Sequence, residues 1–416
     1  MNKIEEYIQN YGLEAFKTLC YSNAENYKYA CILDSCQLNT GVIGGQYEFL
    51  AGLGAIEVYE NLETFSQQEN KWLLGVLGYD LKNEFEELTS ENQEHIATPS
   101  LLFFEPKILI SINKHGEIKL LKGELPADFF GTENIVFEEN LADLQTFSTK
   151  EAYIGKIQEI HQLIREGEVY ELNYCLPFVQ EYEQFTPIAF HKKLLKKSPV
   201  PMASYLRADN LHLCGASMER YLCKRGDKLI SQPIKGTIRK GSSVQEDEEL
   251  IYQLENSEKD RAENVMIVDL VRNDLARICQ SGTIKVEELF GIYSYLQVHQ
   301  MISTVIGTIK PNTSFTDILE ATFPMGSMTG APKIAAMQEI EKLESFKRGW
   351  YSGAVGYIAP TGNFDFNVVI RSLICDTDAK KLMYCAGGAI TIDSLPESEW
   401  DEIKLKTKAI SSVLGN

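Results

Sequence analysis

Hydrophobic and polar positions along this chain follow two periods. In TPSLLFFEPKILISINKHGEIKLLKG, residues 98–123, apolar side chains recur at every second position on either side of NKHG. A two-residue period broken by a polar, glycine-containing stretch predicts a β-hairpin. VYELNYCLPFVQEY (169–182) and KLMYCAGGAITIDS (381–394) also suit strands, and YLRADNLHLCGASMERYLCKRGDKLISQPIKGT (205–237) suits several short antiparallel ones. GWYSGAVGYIAP and NFDFNVVIRSLICD predict a further hairpin joined at TGN, with Arg371 at the end of its apolar strand.

Elsewhere the period lengthens to that of a helix. Tyr153, Ile157, Ile160 and Ile164 share one face of a helix expected to start at a Ser148–Glu151 capping box and to end at Gly167. EDEELIYQLE and the run after Ser257, a good N-cap, predict two more, and ESEWDEIKLKTKAISSVL a last one. The strands cluster as hairpins and not as βαβ units. The expected class is therefore α+β: antiparallel sheets forming a sandwich-like core, with helices packed outside. The weakly patterned stretch 124–147 is the best boundary, giving an N-terminal subdomain over 1–147 and a second region over 148–416.

Composition narrows the partners. The 416 residues carry a net charge of −19, which argues against nucleic acid or an anionic membrane surface. An anionic substrate would need local positive charge set against that field. The charged N-terminus lacks the apolar core of a signal peptide. No uncharged apolar run approaches the length of a membrane span. Nine cysteines without CxxC pairs fit neither a disulfide framework nor a zinc site, and suit a reducing cytoplasm.

Three groups of residues invite chemistry. Asp260 with Glu263, and Glu399 with Glu402, lie three apart on predicted helices, with Lys406 one turn beyond. Either each pair is part of a solvated acidic face, or the carboxylates hold a hard cation such as Mg²⁺. FPMGSMTGAPK places glycines and hydroxyl residues before a helix, where free amides suit an anion, although a plain loop explains it equally. Gly387 and Gly388 inside a strand signal either a bulge or close approach of a ligand. Lys235, between Ile234 and Gly236, is the odd residue of its strand, and water is the default destination for a lysine.

DRAENVMIVDLVRNDLARIC, FPMGSMTGAPKIAAM, RGWYSGAVGYI, VVIRSL and AGGAITIDSLPESEWDE, in this order from about residue 150 onward, resemble the signature blocks of the chorismate-utilising enzymes. YACILDS and LGVLGYDLKNEFEEL resemble, more loosely, the N-terminal half of the members that add an amino group. The resemblance implies an anthranilate synthase component I-like fold. PIKGT resembles the aminodeoxychorismate synthase branch, where anthranilate-forming members read PIAGT. That branch implies Lys235 as a nucleophile on chorismate and Glu219 as the acid for the departing hydroxyl, with Met218 standing where the family has proline. It also implies Mg²⁺ on Glu263 and Glu402, with Asp260 and Glu399 beside them. Gly236, Thr237, His299, Ser327, Thr329, Tyr351, Arg371, Gly387, Gly388 and Lys406 match substrate contacts. Asp34 and Ser35 match the edge of a tryptophan pocket of anthranilate synthases. Glu171 sits where the water-adding branch carries a lysine, which argues against that branch. No glutaminase block accompanies these motifs, so ammonia is expected from a separate glutamine amidotransferase subunit. The remaining alternatives are anthranilate synthase component I and a non-catalytic chorismate- or tryptophan-binding regulator.

Overall fold

The computed structural model describes residues 3–39, 41–131, 140–141, 145–146 and 148–414. Much of the expected boundary stretch 124–147 lies outside the described residues. No helix among them is long and apolar enough to cross a membrane.

The period-two runs become strands, and the pairings between named strands are all antiparallel. Glu171–Gln184 pairs with Lys381–Ile390, which pairs with Ser372–Asp376. Leu211–Ser217, Met202–Ala208, Tyr29–Asp34 and Tyr47–Tyr59 follow in turn. The sheet continues through Leu101–Asn113, Leu73–Leu77, Ala354–Ile358, Phe364–Val368 and Arg220–Arg225. It ends in Lys228–Gln232 and Val298–Thr308, and the latter carries both Ile234–Arg239 and Lys285–Ser294. Strands from before and after residue 147 are thus neighbours in one sheet.

This sheet curls back on itself, and the strand alternation sorts its side chains into two cores. Leu206, Leu213, Ile374 and Met383 point inward and meet Val76, Phe103, Val355 and Phe366 from the other half. Their chain neighbours Tyr205, Cys214, Leu373 and Tyr384 point the other way, into a second core. Helices Leu13–Ala24, Lys150–Glu166, Pro187–Lys197 and Pro396–Leu414 cover that outer face. The expected sandwich is therefore one continuous sheet with helices outside.

Two of the helix-end signals hold and one is corrected. Gly167 caps Lys150–Glu166 at φ 81°, and Ser257 accepts from the Asp260 amide at 3.2 Å. The N-cap of Lys150–Glu166 is Thr149, not Ser148: Thr149 is extended and its hydroxyl accepts from the Ala152 amide, while Ser148 Oγ turns to the Thr149 carbonyl.

Candidate active site

Lys235 does not point into water. The pairing of Ile234–Arg239 with Val298–Thr308 slips between Ile234 and Thr237, with Gly236 at φ 91°. A bulge re-aims the side chain it carries, and here it sends Lys235 inward, leaving the side chain 10% exposed. Glycine is required at the next position for a second reason. A Cβ on Gly236 would lie 3.1 Å from Cβ of Asp260, in the first turn of helix Glu258–Ile278.

Inside, Lys235 Nζ donates to Glu171 Oε1 at 2.8 Å, and Glu171 is itself buried. Burial by itself would lower the lysine pKa. The Glu171 carboxylate, through space and through the hydrogen bond, with Glu263 and Glu219 beyond it, more than offsets that and leaves the pKa raised.

Glu219 lies between strands Leu211–Ser217 and Arg220–Arg225. Its carbonyl accepts from the Val368 amide at 3.0 Å, and its own amide donates to Ser217 Oγ at 3.3 Å. The adjacent Arg220, fully buried, forks onto both oxygens of Asp365 at 2.8 and 3.0 Å. The backbone is thus held at Glu219 although Met218 replaces the family's proline. Burial pushes the Glu219 carboxyl up to about 7, against the opposing pull of the Ser327 hydroxyl and Lys235. Ser327 Oγ donates to Glu219 Oε1 at 2.6 Å. A carboxyl that titrates near neutrality can hold and release a proton at working pH.

The four acidic candidates come from two helices. Glu399, Glu402 and Lys406 share a face of Pro396–Leu414, which packs on strand Lys381–Ile390. Gly388 explains itself here: a Cβ on it would lie 3.2 Å from Glu399 Oε2, 3.8 Å from Lys406 Nζ and 3.9 Å from Glu402 Oε1. Gly387 is packed as tightly, since a Cβ would run into the Tyr174 carbonyl and Cys175 Sγ. The strand pairs without a register shift at both glycines, so they mark close approach and not a bulge.

Burial raises the Glu399 carboxyl, with Glu402 adding to the rise, and burial likewise raises Glu263, with Glu171 and Asp260 adding to it. Glu402 is also penalised by burial, but Lys406, at 2.7 Å, turns its net shift downward. Lys259 acts on Glu263, Glu399 and Glu402 alike, which links the two helices electrostatically. Crowded, partly desolvated carboxylates are a donor set that fits a hard divalent cation. Among the described residues, however, no three such side chains already close around one point.

Arg371 corrects a sequence expectation. It does not end a strand but sits in the break between Phe364–Val368 and Ser372–Asp376, at φ 50°. Burial draws its pKa below the usual arginine value, with Tyr384 and Glu402 opposing. Tyr384 Oη donates to the Lys406 carbonyl at 2.7 Å, and Lys406 Nζ donates to the Gly387 carbonyl at 2.7 Å. Arg371, Lys406 and Gly387 therefore form one neighbourhood, in which both cations lie beside Glu402.

Some expected contacts are committed elsewhere. The ring nitrogens of His299 lie 2.8 Å from Asp247 Oδ1 and 2.7 Å from Ser294 Oγ, so both have protein partners. Thr329 is fully buried, with its hydroxyl on the carbonyls of Gly326 and Met325. Tyr351 is buried with its hydroxyl 3.4 Å from Cys175 Sγ, and Thr237 is exposed on its strand opposite Gln300. Part of the glycine loop before Lys333–Leu343 is held by its own backbone. The Met328 and Thr329 amides bond within the loop, and Gly330–Ala331 pairs with Glu171 and Leu172. Asp34 receives Lys17 Nζ at 2.9 Å and the Cys36 amide at 2.8 Å, and Ser35 Oγ bonds Glu48. Sequence reasoning gave no role in this site to Glu171 as the partner of Lys235, or to Asn173, whose side chain donates to the Ser327 carbonyl at 3.0 Å. Two polar residues two apart in a buried strand were the available signal.

The pattern of the chorismate binding enzyme family matches residues 27–412. The chain is 43% identical over 264 residues to the chloroplastic aminodeoxychorismate synthase of Arabidopsis thaliana, which covers 63% of this chain but only 28% of that protein. It is 32% identical over 339 residues to aminodeoxychorismate synthase component 1 of Escherichia coli, covering 79% of this chain and 74% of that protein. It is 34% identical over 343 residues to anthranilate synthase component 1 of Saccharolobus solfataricus, covering 82% of this chain and 80% of that one. The crystal structure of anthranilate synthase component I from Streptococcus pneumoniae superposes with a TM-score of 0.76 at 24% identity, over 89% of this chain and 93% of that one. The sequence pattern runs through every element that carries the site, and the chain belongs to the chorismate binding enzyme family.

Proposed function

We propose that this protein is an aminodeoxychorismate synthase component that replaces the C4 hydroxyl of chorismate with an amino group. The observation that carries the reading is the pair of opposed groups in the buried site: Lys235 on Glu171 at 2.8 Å, and Glu219 with its pKa up at about 7. One group can become a nucleophile once it loses a proton. The other already holds a proton to give.

A lysine at its ordinary pKa costs about 4.6 kcal/mol to deprotonate at pH 7, and Glu171 raises that cost while Lys235 is charged. Glu171 also receives the proton, since its carboxylate is already hydrogen-bonded to Nζ. The neutral amine attacks C2 of the ring, forming a C–N bond as both double bonds of the conjugated ring diene shift along the ring and the C4–O bond breaks. Glu219 protonates the departing oxygen, which leaves as water. Ammonia then forms a bond to C4, both double bonds shift back, and the Lys235 amine leaves C2. Arg371, and Lys406 once its pairing with Glu402 is shared with the metal, hold the substrate's enolpyruvyl carboxylate, and Gly387 and Gly388 let it approach the backbone. Mg²⁺, held by Glu263 and Glu402 with Asp260 and Glu399 alongside, would supply positive charge to the ring carboxylate. Ammonia from a separate glutaminase subunit completes the reading.

The second reading is anthranilate synthase component I, favoured by the 34% identity to the Saccharolobus solfataricus protein over 82% of this chain. The test is mass-resolved product analysis with chorismate, Mg²⁺ and excess ammonium, for wild type and Lys235→Ala. Aminodeoxychorismate from wild type and its loss in Lys235→Ala are expected. Anthranilate and pyruvate from wild type would overturn the proposal in favour of the second reading.

A further inference from the structure

We propose that Arg348, which does not face the reacting groups, is a positioning residue that sets the geometry of Ser327, and through it Glu219, and of the strand carrying Glu171, by clamping the Met328 and Asn173 carbonyls and the Ser352 hydroxyl to one buried carboxylate. This rests on the reading that Glu219 and Lys235 act on chorismate.

All five N–H donors of Arg348 are used, and the residue is 1% exposed. Nε and one Nη2 hydrogen fork onto Glu344 at 2.9 and 2.6 Å. The other Nη2 hydrogen goes to the Asn173 carbonyl at 2.8 Å. Nη1 reaches the Met328 carbonyl at 2.7 Å and Ser352 Oγ at 3.3 Å. Glu344 returns the tie to the same strand by accepting from the Cys175 amide at 2.9 Å. The face of Tyr79 closes the cluster, 4.6 Å from the guanidinium carbon.

Two of the clamped segments adjoin residues of the proposed site. Met328 follows Ser327, whose hydroxyl bonds Glu219. Asn173 is two residues from Glu171, the partner of Lys235, and Cys175 pairs with Gly387. Ser352 follows Tyr351 and sits at φ 61°. A planar fork with fixed donor directions holds several carbonyls in one arrangement, which three rotatable lysine donors or an apolar side chain cannot reproduce.

Removing Arg348 alone strands a buried glutamate, so the deciding variant is Arg348→Met/Glu344→Met. It removes both charges together, a change buried pairs often tolerate, while the carbonyls of Met328 and Asn173 and the Cys175 amide lose their partners. The expected result is a protein that stays folded at assay temperature but with a lower thermal midpoint, because three buried backbone groups lose partners, and with faster amide hydrogen exchange confined to 173–175, 326–331 and 350–353. With it, kcat for chorismate and ammonium falls by about 10²-fold, as for a misplaced catalytic group, while KM changes little. The alkaline limb of the rate profile should also move up by about one pH unit as Ser327 loosens from Glu219. The groups acting on Glu219 besides Ser327 are Lys235 and, through it, Glu171 and Glu263. An activity loss that merely tracks the unfolded fraction, with the limb and local exchange unmoved, would overturn the proposal. If wild type consumes no chorismate, the functional reading fails separately, and exchange at 326–331 still decides whether the clamp exists.

Discussion

Glu219→Gln is expected to inactivate the protein and, at alkaline pH, to stabilise it. In the folded chain the carboxyl is raised from its ordinary 4.5 to about 7, chiefly because it is 6% exposed. Between those values the unfolded chain has released the proton and the folded chain retains it. Stability of the wild type therefore falls as pH rises through this window, and is flat with respect to this group on either side. The interval from 4.5 to about 7, at about 1.36 kcal/mol per pH unit, corresponds to about 3 kcal/mol. Glutamine keeps the shape and a hydrogen-bonding partner for Ser327 but cannot ionise, so it escapes this loss. Urea unfolding of both proteins at pH 4.5 and pH 8 measures the difference. Relative to its standing at pH 4.5, the variant should gain about 3 kcal/mol on the wild type by pH 8, while turnover falls by about 10²-fold or more for want of the acid. A stability difference that does not change with pH would refute the argument, because it would mean that Glu219 is not held protonated by burial.

Further outcomes follow from the same geometry. Ser327→Ala removes a bond to the carboxylate worth about 1.5–3 kcal/mol. The alkaline limb of the rate profile should therefore rise by about one to two pH units, and a fall or no movement counts against the assigned pair. Glu171→Gln should cut turnover by about 10²-fold or more at pH 7, with partial recovery as pH rises and the free amine of Lys235 forms; a pH-independent deficit would contradict the proton transfer. The same substitution reports on stability. The raised lysine pKa contributes stability below the ordinary 10.5 that is lost as pH climbs through the folded value, so wild type should weaken more steeply than the variant above about pH 10.5. Gly236→Ala forces a side chain into φ 91° and against Asp260. It should cost about 1–3 kcal/mol, read as a lower thermal midpoint, and an unchanged midpoint would show that the bulge relaxes freely.

Much of this architecture is written in local patterns. The alternation in 98–123 and 169–182 became paired strands, and the glycine at 167 ended its helix where a left-handed residue was needed. Spacing also placed Glu399, Glu402 and Lys406 on one helical face. The Thr149 cap was missed because Ser148 and Thr149 are equally able to cap, and only backbone geometry chooses between them. Arg371 was misplaced at a strand end because an unbroken apolar run hides a left-handed break. For His299 and Thr329 a motif gives a position and not the neighbours that their polar atoms bond, which are Asp247 and the Gly326 carbonyl.

What the sequence determined by itself was periodicity, caps and the ordered blocks that resemble one family, since these depend on residues close together in the chain. What only the tertiary structure decided was which polar groups meet. Lys235 and Glu171 are 64 positions apart, Glu219 and Ser327 are 108 apart, and Arg348 and Asn173 are 175 apart. Each is an unremarkable polar residue until a bulge, a buried strand and a loop remove it from water. Burial then forces it to find a partner, and that partnership shifts its protonation and gives it a chemical role.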